Sequence, residues 1–249
     1  MTQELTGASA PAWPVQPLQV CSEPSAGAAV DLERGLTLLR AAADGRLPPT
    51  LRLYRPSPTV AFGQRDARLA GYAAAEAAVR AQDFTPLIRK AGGRAAAYHQ
   101  GCLIVDHIEP HPDAVAGSRT RFKLFGELLA DALRRVGVDA AVGEIPGEYC
   151  AGEFSVHGNG AQQVKLVGTA QRVIAGAWLF SSVIVVEGSS PIRRVLEAAY
   201  SALGLDWDPA TAGAAEDLVP GTTVEKVADA VVAVYQEAAA GGWSPASRP

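Results

Sequence analysis

The sequence predicts a single α/β domain of the α+β type, with a mixed β-sheet flanked by helices. Three observations carry this. Alternating strand patterns and three- and four-spaced helix patterns interleave along the chain without a strict βαβ rhythm. No Gly-x-Gly-x-x-Gly fingerprint follows a strand, which disfavours a doubly wound dinucleotide fold. Apolar residues make up 48% of 249, enough for one sizeable core.

Residues 1–28 are rich in Pro, Ser, Thr and Ala without a period, and read as an extended or partly disordered lead-in to a domain spanning 29–240. Asp31 precedes Leu32, Leu36 and Leu39 at helical spacing and Gly45 closes the pattern, giving a first amphipathic helix. Leu51 to Arg55 alternates, Pro56 and Pro58 interrupt, and Thr59 to Phe62 resumes, predicting two short strands joined by a bend. Arg68 to Gln82 is alanine-rich and helical, with Gly71 as a blemish. Phe84 to Arg89 leads into the twin glycines Gly92-Gly93, after which Cys102 to Asp106 returns to strand.

The clearest helix carries Phe122, Phe125, Leu128, Leu129, Ala132, Leu133 and Val136, and stops at Gly137. Val138 to Val142 follows as a strand, broken at Ile145-Pro146-Gly147. Glu148 to Arg172 reads as a β-hairpin, two apolar-alternating arms around a turn through His157-Gly158-Asn159-Gly160. The apolar run Val173 to Val186 is too short and too broken by Ser181-Ser182 to span a bilayer, which takes ~20 residues as a helix, so it reads as buried strand. The remainder predicts a helix from Pro191 to Leu203, stopped by Gly204. A last helix starts at a Thr222-x-x-Glu225 capping box and carries Val224, Val227, Val231 and Val234.

A net charge of −4 and a pI near 5.6 argue against a general nucleic-acid surface. The three cysteines, Cys21, Cys102 and Cys150, form neither an even set nor a Cys-x-x-Cys spacing, so no disulfide framework or thiolate zinc site is expected, and a reducing, cytoplasmic setting fits. The N-terminus lacks the basic start and apolar core of a secretory signal. His107 and His111 bracket Glu109 where Pro110 and Pro112 forbid a helix, so no metal site is expected. No extra apolar helix face stands out, and the chain is read as a monomer that engages neither nucleic acid nor membrane.

Two residues in the hairpin stretch draw chemical interest. Lys165 is one of four lysines against eighteen arginines, so a lysine inside an apolar strand marks a position where a compact ammonium is wanted rather than a planar fork. An ammonium near the Cys150 thiol would favour the thiolate, although Glu148 and Glu153 act in the opposite sense. On residues alone a buried cysteine is more often an inert small hydrophobe. The twin glycine lets a backbone approach a ligand closely, and exposed amides there can hold an oxygen.

Three blocks resemble the lipoate-protein ligase and octanoyltransferase family. Arg89-Lys90-Ala91-Gly92-Gly93-Arg94-Ala95-Ala96-Ala97-Tyr98-His99 is similar to its twin-glycine block, Lys165-Leu-Val-Gly-Thr-Ala-Gln-Arg172 to its lysine block, and Glu148-Tyr-Cys-x-Gly-x-x-Ser155 to a cysteine loop of some acyltransferase branches. The likeness runs roughly from Leu51 to Tyr235. It implies a biotin/lipoate protein ligase-like fold, with Cys150 and Lys165 as catalytic residues. It also implies that Gln64, Arg89, Gly92, Gly93, Arg94, His99, Gly168, Thr169 and Ala170 meet the substrate. On its own residues His99 reads better as a hydrogen-bonded structural histidine.

The resemblance implies transfer of an octanoyl or lipoyl group, without cofactor, from an acyl-carrier or glycine-cleavage carrier thioester. The group would pass through a Cys150 acyl-enzyme to a lysine on the lipoyl domains of 2-oxoacid dehydrogenases. Lys165 would hold the acyl carbonyl, aided by amides near Gly92-Gly93. One alternative is a ligase that uses ATP and Mg²⁺ to activate free lipoate or octanoate, with Cys150 incidental. Another is a silent relative that only binds an acyl group or a lipoyl domain. Ligases and several transferases carry His-Gly where this chain has Trp178-Leu-Phe-Ser-Ser182, which leans toward protein-to-protein transfer.

Overall fold

The computed structural model describes residues 17–243. Strand β1 (Gln19–Ser22) leads into helix α1 (Ala28–Ala43), then β2 (Thr50–Tyr54) and β3 (Thr59–Phe62). Next come α2 (Tyr72–Arg80), β4 (Thr85–Ile88), β5 (Ala96–Tyr98), β6 (Cys102–Pro110) and α3 (Ser118–Arg135). The second half holds β7 (Ala140–Val142), β8 (Val156–Gly158), β9 (Val164–Ile174), β10 (Ala177–Val185), α4 (Ser189–Leu203), the single turn α5 (Ala215–Leu218) and α6 (Val224–Ala240).

Seven strands form one sheet in the order β1-β2-β6-β10-β9-β8-β7, and three form a second in the order β4-β3-β5. The large sheet is mixed: β1 pairs parallel to β2, and the remaining pairs are antiparallel. The bend at Pro56 and Pro58 therefore does more than join two strands. It carries the chain out of one sheet and into the other, since neither proline can donate to a ladder.

Side chains alternate across the large sheet and fill two different cores. On one face Trp178, Phe180 and Ile184 of β10 meet Phe125, Leu129 and Leu133 of α3 and Val227, Val231 and Val234 of α6. On the other face, α1 covers one end through Leu39 and Ala42. The small sheet covers the other end with α2 and α4, packing Val60, Phe62 and Ala97 against Tyr54, Ile104 and Val183. The gap between α1 and the small sheet is where the cavity described below lies.

Several local expectations are refined. The last residues of the expected lead-in form β1, a paired edge strand; residues 1–16 lie outside the described residues. Helix α2 begins at Tyr72, later than composition alone suggests. A Cβ at Gly71 would stand 1.8 Å from the Ala202 carbonyl oxygen, so this glycine is where α2 approaches α4. The apolar run from Val173 is two strands, the end of β9 and the whole of β10, turning at Ala175-Gly176, where Gly176 has φ +84°. The cap of α6 is Thr223, whose side chain accepts from the Lys226 N–H, while Thr222 bonds back to the Val219 carbonyl.

His107 and Glu109 point into the helix-side core, Nε2 to Oε2 3.2 Å, within a ring of Phe125, Trp178, Tyr235 and Trp243. Among the described residues no group of three or more His, Cys, Asp or Glu is placed to hold a metal. None of the described helices is long and apolar enough to cross a membrane.

Candidate active site

A hairpin forms from β8 and β9, antiparallel with a bulge at Val156/His157, but His157 and Gly158 of the expected turn belong to β8 and the expected first arm from Glu148 to Ser155 is loop, toward which the lysine of β9 points. The Lys165 ammonium is 1% exposed and uses three donors on that loop: 3.0 Å to Glu148 Oε1, 2.9 Å to the Tyr149 carbonyl and 2.9 Å to the Cys150 carbonyl. It also lies 4.8 Å from the Tyr149 ring centroid. The carboxylate of Glu148 completes a buried hub, taking Ser155 Oγ at 2.5 Å and the Gly152 N–H at 3.1 Å. A charge this deep needs such full pairing, because desolvation alone would expel it.

This hub holds Cys150 in a conformation the chain would not choose. Its φ is +44°, in the left-handed region that costs a non-glycine residue about 1–3 kcal/mol. The Cys150 N–H donates to the Tyr200 hydroxyl at 2.9 Å, and that hydroxyl donates to the Ala95 carbonyl at 3.0 Å. The cysteine loop is thus tied to β9 on one side and to α4 and the twin-glycine loop on the other. The sulfur is turned toward the twin-glycine loop, where it takes the Arg94 N–H at 3.2 Å and stands 3.7 Å from Arg89 Nη2.

The twin-glycine loop is shaped for that approach. Gly93 has φ +98°, and a Cβ there would stand 2.4 Å from Arg89 Nη2 and 2.9 Å from Cys150 Sγ. Only glycine leaves room for the sulfur. Arg89 also donates to the Arg94 carbonyl at 2.7 Å, and Arg94 pairs with buried Asp66 at 3.0 Å. Asp66 in turn accepts the Gly63 N–H, fixing the loop to the end of β3.

Cys150 opens on a cavity of about 540 Å³, within the range of small-molecule sites, whose wall includes part of the Lys165 side chain. Its floor is the second face of the large sheet. One cross-strand row runs Arg52, Asp106, Ser181, Ala170, and the next runs Tyr54, Ile104, Val183, Gly168. Helix α1 roofs it with Asp31, Leu32, Gly35 and Leu36, and Phe122 and Phe154, stacked at 5.8 Å, close a further side. Arg52 bonds Asp106 at 2.9 Å beneath this roof. Burial raises the Asp106 carboxyl above its ordinary value, against the opposing pull of Arg52.

Some sequence expectations change here. Lys165 meets the cysteine loop through backbone carbonyls and Glu148 rather than through an open ammonium aimed at the cavity, and the donors facing the sulfur are Arg94 N–H and Arg89. Gln64 is exposed and walls a second, outer depression, not the cavity on which Cys150 opens. His99 lies outside the cavity: Nδ1 accepts the Gly101 N–H at 2.9 Å and Nε2 lies 2.9 Å from the Gly188 carbonyl oxygen, an arrangement that ties β5 to the start of α4. Gly93, Gly168, Thr169 and Ala170 line the cavity, with Arg89; Gly92 walls the outer depression. Tyr200 was not foreseen, because a tyrosine on the apolar face of α4 reads as core and nothing in its spacing announces a bond to a cysteine loop.

Residues 28–236 match the family model for the lipoyl protein ligase A/B catalytic domain. The chain belongs to that family. The lipoyl protein ligase A/B match begins at α1, ahead of the likeness that starts near Leu51, and so includes the roof of the cavity. Relatives include the octanoyl-[GcvH]:protein N-octanoyltransferase of Geobacillus kaustophilus, 26% identical over 183 residues, 74% of this chain and 63% of that protein. Its counterpart from Anoxybacillus flavithermus is 29% identical over 156 residues, 63% of this chain and 55% of that protein. The chain thus spans roughly three-fifths of the curated relatives it matches. Among solved structures, lipoate-protein ligase A bound with ATP superposes with a TM-score of 0.69 at 19% identity, covering 89% of this chain and 84% of that one. Protein Ta0514 of T. acidophilum with bound lipoic acid gives 0.67 at 19% identity, covering 89% and 86%. These likenesses fix the fold.

Proposed function

We propose that this chain transfers an octanoyl or lipoyl group from a carrier protein, through a thioester on Cys150, to the ε-amine of a lysine on a lipoyl domain. The observation that carries the reading is the placement of the Cys150 sulfur. It is a partly exposed thiol on a strained loop, faced by a backbone N–H and a guanidinium, at the wall of a cavity sized for a medium acyl chain. The names of the relatives supply the octanoyl group and a GcvH donor.

In this mechanism the sulfur attacks the acyl carbonyl, the bond from that carbonyl to the donor protein breaks, and the donor leaves with a proton. The acceptor amine then attacks the thioester, expels the sulfur and loses a proton as the amide forms. The Arg94 N–H, already directed at the sulfur, is the donor nearest the oxyanion that develops beside it. Arg89 offsets negative charge on the same sulfur when it is released. Lys165 acts as a positioning residue: it holds the loop that presents the thiol, while the apolar part of the cavity excludes water from the acyl chain.

Steady-state transfer to a lipoyl domain, measured with and without ATP and Mg²⁺, tests the reading. Activity from an octanoylated carrier without nucleotide, abolished in Cys150→Ala, is the expected result. Product formed from free octanoate only when ATP is present, and undiminished in Cys150→Ala, identifies a ligase and overturns it.

A further inference from the structure

Beside the mouth of the acyl cavity lies a second depression of about 350 Å³ that shares Ala91, Gly93 and Arg172 with it. Arg65, Arg68, Lys90 and Arg172 stand around this depression, all exposed. Among the described residues their side chains make no hydrogen bond and no ion pair. The neighbouring cations are committed inward, Arg89 to the Arg94 carbonyl and Arg94 to Asp66. Two carboxylates linked to these segments do not neutralise the collar. Asp66 is buried and taken by Arg94 and Gly63, and Glu33, which senses the charge of Lys90, is paired with Arg40.

The chain as a whole carries a net charge of −4, and among the described residues surface arginines elsewhere find partners, as Arg46 does with Asp44 and Arg135 with Glu237. Four unpaired cations at one mouth are a local excess of one sign, which steers and orients an oppositely charged surface. They come from three separate segments around a rim rather than from a nest of backbone amides, a layout suited to a broad surface more than to one small anion.

We propose that this collar docks an acidic surface of the protein whose lysine carries or receives the acyl group. The inference rests on the transfer reading above, because a lysine arm reaching Cys150 past Gly93 brings the surface of its own domain down onto the collar. Carboxylates flanking that lysine are the matching chemistry.

The test compares Arg65→Glu/Arg68→Glu with the charge-preserving Arg65→Lys/Arg68→Lys. One measurement is transfer from an octanoylated lipoyl domain at low and high salt; the other is acylation of Cys150 by a small donor, octanoyl-N-acetylcysteamine. The expected result at low salt is a KM for the domain raised about tenfold or more by the glutamates and less than about twofold by the lysines, with salt moving the wild-type value toward that of the glutamate variant. Acylation by the small donor is expected to stay within about twofold of wild type, since that donor brings no charged surface to the collar. An unchanged domain KM, or equal slowing of both donors, overturns the proposal. So does millimolar ATP or inorganic phosphate that binds the wild type and not the glutamate variant while the domain KM is unaltered. Should the small donor leave Cys150 unmodified in the wild type, the transfer reading fails on its own. Docking is then read by calorimetric binding of the unmodified lipoyl domain to Cys150→Ala, where loss on adding the two glutamates supports the collar and no change overturns it.

Discussion

At the scale of single residues, the site depends on a buried ion pair that shapes a loop. Lys165 stands out in the sequence as a scarce lysine in an apolar strand, but the partner of its ammonium could not be read there. Three acceptors converge on one nitrogen, two of them carbonyls of consecutive loop residues, and only the folded loop brings them together. Replacing Lys165 by Met leaves the Glu148 carboxylate buried without its cation, and the expected cost is about 3–5 kcal/mol in urea unfolding. Lys165→Arg should also lose most transfer, because a planar fork cannot meet all three acceptors. Gly93→Ala is expected to abolish acylation of Cys150 while leaving the core packing intact, since the added methyl would press on both the Cys150 sulfur and Arg89 Nη2 at a backbone φ of +98°. The three cysteines should separate by reactivity. Burial pushes the Cys102 thiol up to about 12, so near pH 8 it stays protonated. Iodoacetamide followed by peptide mass mapping should mark Cys21 and Cys150 and spare Cys102. From the ordinary thiol value of about 8.5 up to about 12, the folded chain keeps a proton that the unfolded chain loses, so Cys102 makes stability fall as pH rises through that window.

At the scale of elements, periodicity located the helices and punctuation located most strand ends. The heptad-like face of α3, with Phe125, Leu129 and Leu133 inward, is legible because the whole apolar stripe meets one sheet face. The cap of α6 was displaced by one residue, since Thr222 and Thr223 are equivalent in a pattern, and only the backbone decides which one lies outside the first turn. Thr223→Ala is expected to cost about 1 kcal/mol, and Thr222→Ala less, by urea unfolding. Tyr200 shows the limit from the other side. Its ring belongs to the core that helical spacing predicts, while its hydroxyl bridges the Cys150 N–H and the Ala95 carbonyl across three elements. Tyr200→Phe is expected to leave the fold in place and to loosen the cysteine loop, seen as slower acylation of Cys150 with near-normal unfolding.

At the scale of the whole molecule, the fold class was legible because strands and helices interleave, and the division into two sheets was not. The proline-marked bend between β2 and β3 looks in sequence like any bend; that it leads into a second sheet is decided by long-range pairing with β4 and β5. That division creates the cavity, for the large sheet is covered at one end by α1 and at the other by the small sheet, and the cavity lies in the gap between them. The polar row Arg52, Asp106, Ser181 crosses the cavity floor, and Asp106→Ala is expected to cost about 3 kcal/mol, the low end for breaking a buried pair, because Glu23 and Asp31 still face Arg52. The central claim is that this architecture serves one sulfur. Intact-protein mass spectrometry after mixing the chain with an octanoylated carrier, without ATP, measures it directly. The account predicts a single added octanoyl mass that maps to Cys150 and disappears when an unmodified lipoyl domain is added, with the same mass then found on that domain. Transfer to the domain with no adduct on Cys150 at any time, or with equal yield from Cys150→Ala, would contradict it.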